Sequence, residues 1–195
     1  MPDVLLRAVW PLLLLVALQQ LGGAAVINFK AWLAPVLLER AFVQSQAQGG
    51  AAVRPWPWAD TWPVARLRVP AMAVSRMVLA GDSGNALAFG PGHSAASAPL
   101  GGPGEVVLGG HRDTHFRFLE RVEPGTELEV MLGDGRMLHY RVTSMEVVNA
   151  REEPLRVGEQ ADRLLLVTCF PFDSLESDGP LRYVVSAERS GRVHL

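Results

Sequence analysis

The sequence predicts a mostly β domain, either a closed barrel or a sandwich, preceded by an N-terminal transmembrane helix. Two observations support this prediction. The first 30 residues contain a long apolar run without charges, and the chain from residue 63 onward consists of about seven or eight short β-rich runs separated by turn residues, with no long helical pattern. With 195 residues, of which 49% are hydrophobic and 19% charged, the chain has room for one domain and an appendage.

The N-terminal segment has no charged residue between Arg7 and Lys30. As a helix, residues 8–29 would be about 33 Å long, enough to cross a hydrocarbon core of about 30 Å. A basic residue followed by a short apolar run and small residues is also typical of a cleavable signal peptide. We therefore assign residues 1–29 to a membrane anchor or a signal peptide, and both alternatives direct the rest of the chain to or across a membrane.

Residues 30–61 are predicted to form a juxtamembrane helix and a linker. Trp32 and Val36 recur at helical spacing, and this helix either lies along the membrane interface or packs on the domain. The linker that follows is rich in Gln, Gly and Pro. Its tryptophans, Trp56, Trp58 and Trp62, either dock on the domain or contact lipid.

Residues 62–195 form the predicted β domain. One run alternates apolar and polar residues, as a half-buried strand does, and a hairpin is predicted where two β-rich runs meet at Gly133-Asp134-Gly135. A stretch dense in Gly, Pro, Ser and Ala, residues 81–104, is predicted to be loop. The strands are predicted at VARLRV, AVSRMVLAG, EVVLGG, ELEVML, RMLHYRVTSMEVV, RLLLVTCF and LRYVVSAE.

Composition excludes several kinds of protein. A formal net charge of -2 provides no general attraction to nucleic acid, so no nucleic-acid partner is expected. A single cysteine rules out an intramolecular disulfide and a metal site built from several cysteines.

The single cysteine, Cys169, ends an apolar strand, where a thiol can point into a cleft instead of the core. A free thiol has a pKa of about 8.5, so catalysis by this thiol needs a nearby proton acceptor or positive charge. His111 follows the strand EVVLGG and Arg182 opens the last strand. If these three strand ends converge, imidazole can exchange protons and guanidinium can stabilise an oxyanion.

Each of these residues also has an ordinary structural explanation. A lone cysteine in an apolar strand is often an inert hydrophobe, a loop histidine is often only hydrogen-bonded, and an arginine is often a surface charge. The residues alone indicate a Cys-His-Arg acyl transferase and no more specific activity.

Four stretches resemble the sortase family. They are PVARLRVPAM, the region from LAFGPGH through VVLGGHRDTHFRFLE, the run LLLVTC, which is similar to the signature Thr-Leu-x-Thr-Cys, and FPFDSLESDGPLRYVV. Within the family, these stretches are most similar to the class D-like sortases, especially the proteobacterial type with a short N-terminal anchor. Two positions depart from the pattern: Leu165 replaces the first threonine of the signature, and Phe170 stands where tyrosine is frequent.

The resemblance implies a closed, eight-stranded sortase-type β-barrel with short helices. It implies His111 as the acid and base, Cys169 as the nucleophile and Arg182 as the stabiliser of the oxyanion or substrate. Thr168, the residue before the cysteine, is expected either to contact substrate or to satisfy the strand end. His93 is expected to be a structural or cleft-lining histidine near the substrate.

The implied function is that of a membrane-anchored cysteine transpeptidase. It would cleave a C-terminal sorting motif of an exported protein through a thioacyl intermediate and transfer the acyl group to an amine acceptor of the cell envelope or a protein. No metal or organic cofactor is required. The expected location is the inner membrane, with one span contacting lipid and the catalytic domain in the periplasm.

Two alternatives remain at this point. The same site would form a cysteine peptidase if water accepts the acyl group. The chain would instead be a non-catalytic, membrane-tethered β domain that binds a partner if Cys169 is buried.

Overall fold

The computed structural model describes residues 2–82, 84–152, 158, 162–174 and 179–191, with the side chains of residues 2–9, 12 and 24–31 outside the description. The chain divides into two compact units, Met1–Leu37 and Leu38–Leu195. The first unit consists of the N-terminal part of helix α1, which spans Pro2–Ala47. The second unit contains the end of α1 and all of the strands.

The predicted transmembrane helix falls in large part on residues whose side chains lie outside the description. Among the described residues, no helix combines the length and the apolar character that a membrane span needs. The anchor over residues 1–29 and the boundaries at residues 30 and 62 therefore stay predictions.

The last part of α1, from Leu38 to Ala47, belongs to the same unit as the strands. Leu38 and Phe42 are almost completely buried, and Leu38 packs against Leu79. The guanidinium of Arg66 lies over the Phe42 ring, 5.2 Å from its centroid, in a cation–π contact. Of the two placements that the sequence left open for the juxtamembrane helix, packing on the domain holds for this part.

The linker that follows α1 also contacts the domain. The Trp56 and Phe89 rings meet edge to face with their centroids 5.3 Å apart, and the Thr61 hydroxyl donates to the Ala80 carbonyl at 2.7 Å. Trp58, in contrast, is 81% exposed. Trp56 therefore docks on the domain, whereas Trp58 faces away from it.

Eight strands close into one barrel in the order β1-β2-β3-β4-β7-β8-β6-β5. Two neighbouring pairs, β2 with β3 and β4 with β7, are parallel, and the other pairs are antiparallel. The strands are β1 Pro63–Val69, β2 Val74–Ala80, β3 Gly92–His93, β4 Glu105–Gly109, β5 Glu127–Leu132, β6 Met137–Asn149, β7 Arg163–Cys169 and β8 Leu181–Arg189. The predicted eight-stranded closed barrel is confirmed.

Side-chain alternation builds the barrel core. In β1 every second residue is buried, as the alternating run in the sequence predicts. The predicted hairpin is β5–β6, and its turn includes Gly135 at a φ of +87°, a backbone conformation that glycine adopts without strain. The inward-facing residues form one large cluster, whose largest fully buried members are Phe116, Leu67, Leu108, Leu119, Leu128, Leu164 and Leu166.

The stretch predicted to be loop, residues 81–104, contains the short helix α2 (Gly84–Leu87) and the strand β3. The prediction was wrong at these two elements. A strand of two residues is too short to show any periodicity, yet it links β2 to β4 and so closes the barrel. Glycine is required in β3, because a Cβ on Gly92 would lie 2.2 Å from the Gly81 carbonyl oxygen.

Candidate active site

Cys169 is the last residue of β7 and is only partly buried. Along β7, Leu164 and Leu166 belong to the barrel core, whereas Leu165 and Val167 belong to a separate cluster on the outer face. Because the side chains of a strand alternate between its two faces, Cys169 shares the outer face with Val167. The thiol therefore is not sealed in the core, which was the arrangement that would have contradicted a nucleophile.

Arg182 lies directly opposite Cys169 in the antiparallel β7–β8 pair. Cross-strand partners project from the same face, with Cβ atoms about 4.5–5.5 Å apart. The Arg182 guanidinium donates through Nη1 to the carbonyls of Gly179, at 2.6 Å, and of Leu181, at 2.9 Å. These bonds fix a permanent positive charge near the start of β8, on the strand position that faces Cys169.

His111 follows β4, which runs parallel to β7. Gly109 is the register partner of Val167, and the Gly110 amide donates to the Val167 carbonyl at 3.1 Å. Since parallel strands end at the same edge of a sheet, His111 and Cys169 both emerge at one rim of the barrel, where β8 begins. The three strand ends therefore meet, as the sequence predicted, while the chemical roles of the three residues stay predictions.

The turn that carries His111 packs closely on the barrel. The Phe116 amide donates to the His111 carbonyl at 2.9 Å, and the Phe116 ring is completely buried below the turn. A Cβ on Gly110 would approach that ring to 2.8 Å, so the glycine lets the chain pass over it. The imidazole-bearing residue itself is exposed.

Thr168 points to the opposite side of β7 from Cys169. Its side chain is buried, and its hydroxyl donates to the Gly110 carbonyl at 2.7 Å. This bond is the strand-end role that the sequence allowed. Contact between Thr168 and substrate stays a prediction.

His93 lies in β3, opposite Leu108, which belongs to the barrel core. Its Nε2 is 2.9 Å from the Ala98 carbonyl oxygen, and the side chain lines a cavity of about 290 Å³ together with Trp62 and Arg136. The register places His93 on the inner face of the sheet, whereas Cys169 lies on the outer face. The structure thus does not bring His93 to the Cys169–Arg182 pair, and it favours the structural role.

An apolar strip continues along the outer face from Cys169. Val107, Leu165 and Val184, from three neighbouring strands, form this cluster, and Val167 packs against it. Leu165, the departure from the signature, is therefore a packing residue.

The segment after Cys169 is held by aromatic contacts. The ring of Phe170 stacks on Tyr183 of β8, with the centroids 6.1 Å apart, and the ring of Phe172 meets Tyr183 edge to face at 5.3 Å. These contacts fix the chain as it leaves Cys169. They involve rings only, so the missing hydroxyl at Phe170 does not interrupt them.

Two residues near His111 in the chain were not predicted to belong to the site. Burial lowers the pKa of His115; a hydrogen bond with the Ala88 backbone opposes that shift, and the charges of Arg76 and His111 reinforce it. Arg112 is buried and donates to the Ser174 carbonyl. The only sequence signal for Arg112 was its place in the Gly-His-Arg step.

Within the described ranges, no group of three or more His, Cys, Asp or Glu side chains could hold a metal ion. The chemistry-bearing groups that the rim brings together are a thiol, a guanidinium and an imidazole. Such a set suits attack on a carbonyl by sulfur, stabilisation of the resulting oxyanion and proton transfer to a leaving amine.

A family model described as Sortase domain matches residues 67–190, more than half of the chain. Sortase D of Bacillus subtilis (strain 168) is 29% identical over 124 residues, which cover 63% of this chain and 62% of that protein. The chain thus spans less than two thirds of the length of this relative. The similarity itself is consistent with a class D-like sortase.

Solved structures are also similar. Sortase C-1 from Actinomyces oris is 25% identical, with a TM-score of 0.56 over 79% of this chain and 99% of that one. Sortase A from Corynebacterium diphtheriae is 24% identical, with a TM-score of 0.60 over 82% and 85%. The Clostridium perfringens Sortase D5 transpeptidase is 18% identical, with a TM-score of 0.61 over 79% and 94%. The last two likenesses show the fold alone.

Proposed function

The chain belongs to the sortase family, and from this premise we propose that it is a cysteine transpeptidase acting on exported proteins. One observation carries the proposal: Cys169 and Arg182 are cross-strand partners on the outer face of the barrel, at the rim where the His111 turn emerges. The substrate would be a protein with a C-terminal sorting signal. The acceptor would be an amine of the cell envelope or of another protein.

The reaction has two steps. The Cys169 sulfur attacks a peptide carbonyl, the Arg182 guanidinium stabilises the oxyanion, and the thiol proton, held by the His111 imidazole, passes to the leaving amine. This step breaks the C–N bond and forms a thioester. An acceptor amine then attacks the thioester carbonyl, releases the Cys169 thiolate and gives its proton back through His111.

Mass spectrometry tests the proposal directly. The chain would be incubated with an exported protein that ends in a sorting signal, with and without a primary-amine acceptor. We expect a thioacyl adduct on Cys169 and an amine-linked product, and we expect neither with Cys169→Ala, whose circular dichroism should match that of the wild type. Product formation by Cys169→Ala would contradict the assignment of the nucleophile.

The same products separate the alternatives. Free acid alone, with the amine present, would mean that water accepts the acyl group and that the protein is a cysteine peptidase. A non-catalytic β domain is disfavoured by the partial exposure of the thiol. It would be supported if Cys169 in the native protein resisted an alkylating agent until the chain unfolds.

We further propose that residues 1–29 anchor the enzyme in the inner membrane by one span, with the barrel in the periplasm. Support comes from the uncharged run between Arg7 and Lys30 and from the exported nature of the expected substrate. Protease added to spheroplasts should digest the barrel while the membrane fraction retains the N-terminal fragment. A mature chain that lacks about the first 25 residues by intact mass would show a cleaved signal peptide instead.

A further inference from the structure

The turn Gly110–Arg112 is bound to the chain on both sides of Cys169. Before the cysteine, the Thr168 hydroxyl donates to the Gly110 carbonyl at 2.7 Å. After it, the Ser174 carbonyl accepts a hydrogen bond from Arg112 Nη2 at 2.6 Å. The two contacted positions of the turn immediately precede and follow His111.

These two bonds matter because the ladder that holds β4 ends before the histidine. The last register pair between β4 and β7 joins Gly109 to Val167, so His111 lies beyond the paired strand. A general base works only within about 2.6–3.2 Å of the proton that it takes, and a misplacement of about 1 Å can cost about a hundredfold in rate. The place of the imidazole must therefore come from contacts of the turn itself.

Both bonds are suited to that task. The Arg112 bond is charge-assisted and short. As a residue, Arg112 is only 9% exposed, and the low dielectric of such a buried site strengthens a hydrogen bond. Thr168 is 2% exposed, so water competes weakly for its hydroxyl. Each bond also crosses a long stretch of sequence, so it ties the histidine turn to the cysteine strand and to the loop that leads to β8.

We propose that Arg112 and Thr168 are positioning residues that hold the His111 turn from both sides of Cys169 and so keep the imidazole in one place relative to the thiol. The proposal rests on the proposed function, which assigns acid–base chemistry to His111 and nucleophilic chemistry to Cys169. Neither positioning residue is required to touch the substrate.

The pH profile of Cys169 alkylation by iodoacetamide tests the proposal in the full chain in detergent. The chain has one cysteine, so every alkylation event reports this thiol. We expect His111→Ala to change the profile, because a coupled imidazole alters the reactivity of the thiol. We expect Arg112→Met and Thr168→Val each to change the rate of Cys169 alkylation at neutral pH by about threefold to tenfold, in the same direction as His111→Ala does. A change of that size is expected for losing one buried hydrogen bond.

The chain offers matched controls. Arg117→Met removes an exposed arginine from the same segment and should leave the rate unchanged, and Thr168→Ser keeps the hydroxyl and should behave like the wild type. Thr168→Val changes no charge, so a shift in that variant cannot come from losing a cation near the thiol. Should Arg112→Met fail to fold, the pair of Thr168 variants carries the test.

The outcomes separate the two proposals. If His111→Ala keeps the wild-type profile, the Cys169–His111 chemistry of the proposed function fails. If His111→Ala changes the profile but folded Thr168→Val does not, the positioning role is overturned, and any shift in Arg112→Met is an effect of charge alone. If Thr168→Ser shifts as much as Thr168→Val, the hydroxyl bond is not the cause and the proposal also fails.

Discussion

The buried ion pair at the start of β4 leads to an unequal pair of mutational effects. Glu105 is 2% exposed, and its carboxylate accepts hydrogen bonds from Arg163 of β7 and from the Gly158 amide. The side chain of Arg163 is 42% exposed, although its Nε is buried without a partner among the described residues. The Glu105 carboxylate is therefore shielded from solvent, whereas the Arg163 side chain reaches it.

This difference in exposure sets how much each substitution should lower the free energy of unfolding. Arg163→Met would leave a buried carboxylate with one remaining donor among the described residues, the Gly158 amide, a situation that costs about 3–5 kcal/mol. Glu105→Gln keeps the volume and one acceptor oxygen, and the guanidinium that it abandons can turn to solvent, so its cost should be about 1–3 kcal/mol. We expect Arg163→Met to lower the free energy of unfolding by about 2 kcal/mol more than Glu105→Gln does.

Urea unfolding followed by circular dichroism, with the full chain in detergent, measures both costs. Arg141→Met is the matched control, since Arg141 pairs with Glu127 at the surface, where each side chain is 58% exposed, and it should cost less than about 1 kcal/mol. The double variant Glu105→Gln/Arg163→Met should cost less than the sum of the two single variants. Equal costs for the two single variants, or a cost of Arg163→Met no larger than that of the control, would refute the argument.

Three further predictions concern the rim. Arg182→Lys should transfer acyl groups far more slowly than the wild type. The guanidinium donates to both carbonyls through Nη1 alone and still has the N–H groups of Nη2 and Nε for an oxyanion, whereas an ammonium bound to the same carbonyls has a single N–H left. Equal rates in the mass-spectrometric assay would mean that charge alone matters. Gly110→Ala should lower the free energy of unfolding by about 1–3 kcal/mol through its clash with the Phe116 ring, and an unchanged urea midpoint would contradict that packing. The pKa of His115 is lowered on folding, so as the pH falls the unfolded chain binds a proton before the folded chain does, and the stability present above pH ~6.5 is lost. His115→Gln should therefore weaken the fall of the free energy of unfolding with decreasing pH. An unchanged pH dependence in that variant would exclude His115 as its source.

Local patterns predicted most of the β domain and the residues that bear its chemistry. The alternation of β1, the turn at Gly135 and the apolar run before Cys169 depend on neighbours in sequence. The structure has a strand at the first and the last of these places and the hairpin turn at Gly135. The membrane anchor was likewise predicted from local composition, and it stays a prediction.

The tertiary structure decided what no local pattern contains. Strand order made β7 the neighbour of both β4 and β8, and the register then placed Cys169 opposite Arg182 on the outer face and His93 on the inner face. The bond from Arg112 to Ser174 likewise joins residues far apart in sequence. Periodicity along a strand shows that it has two faces, but which face becomes the core, and which residue meets which, depends on how the whole barrel closes.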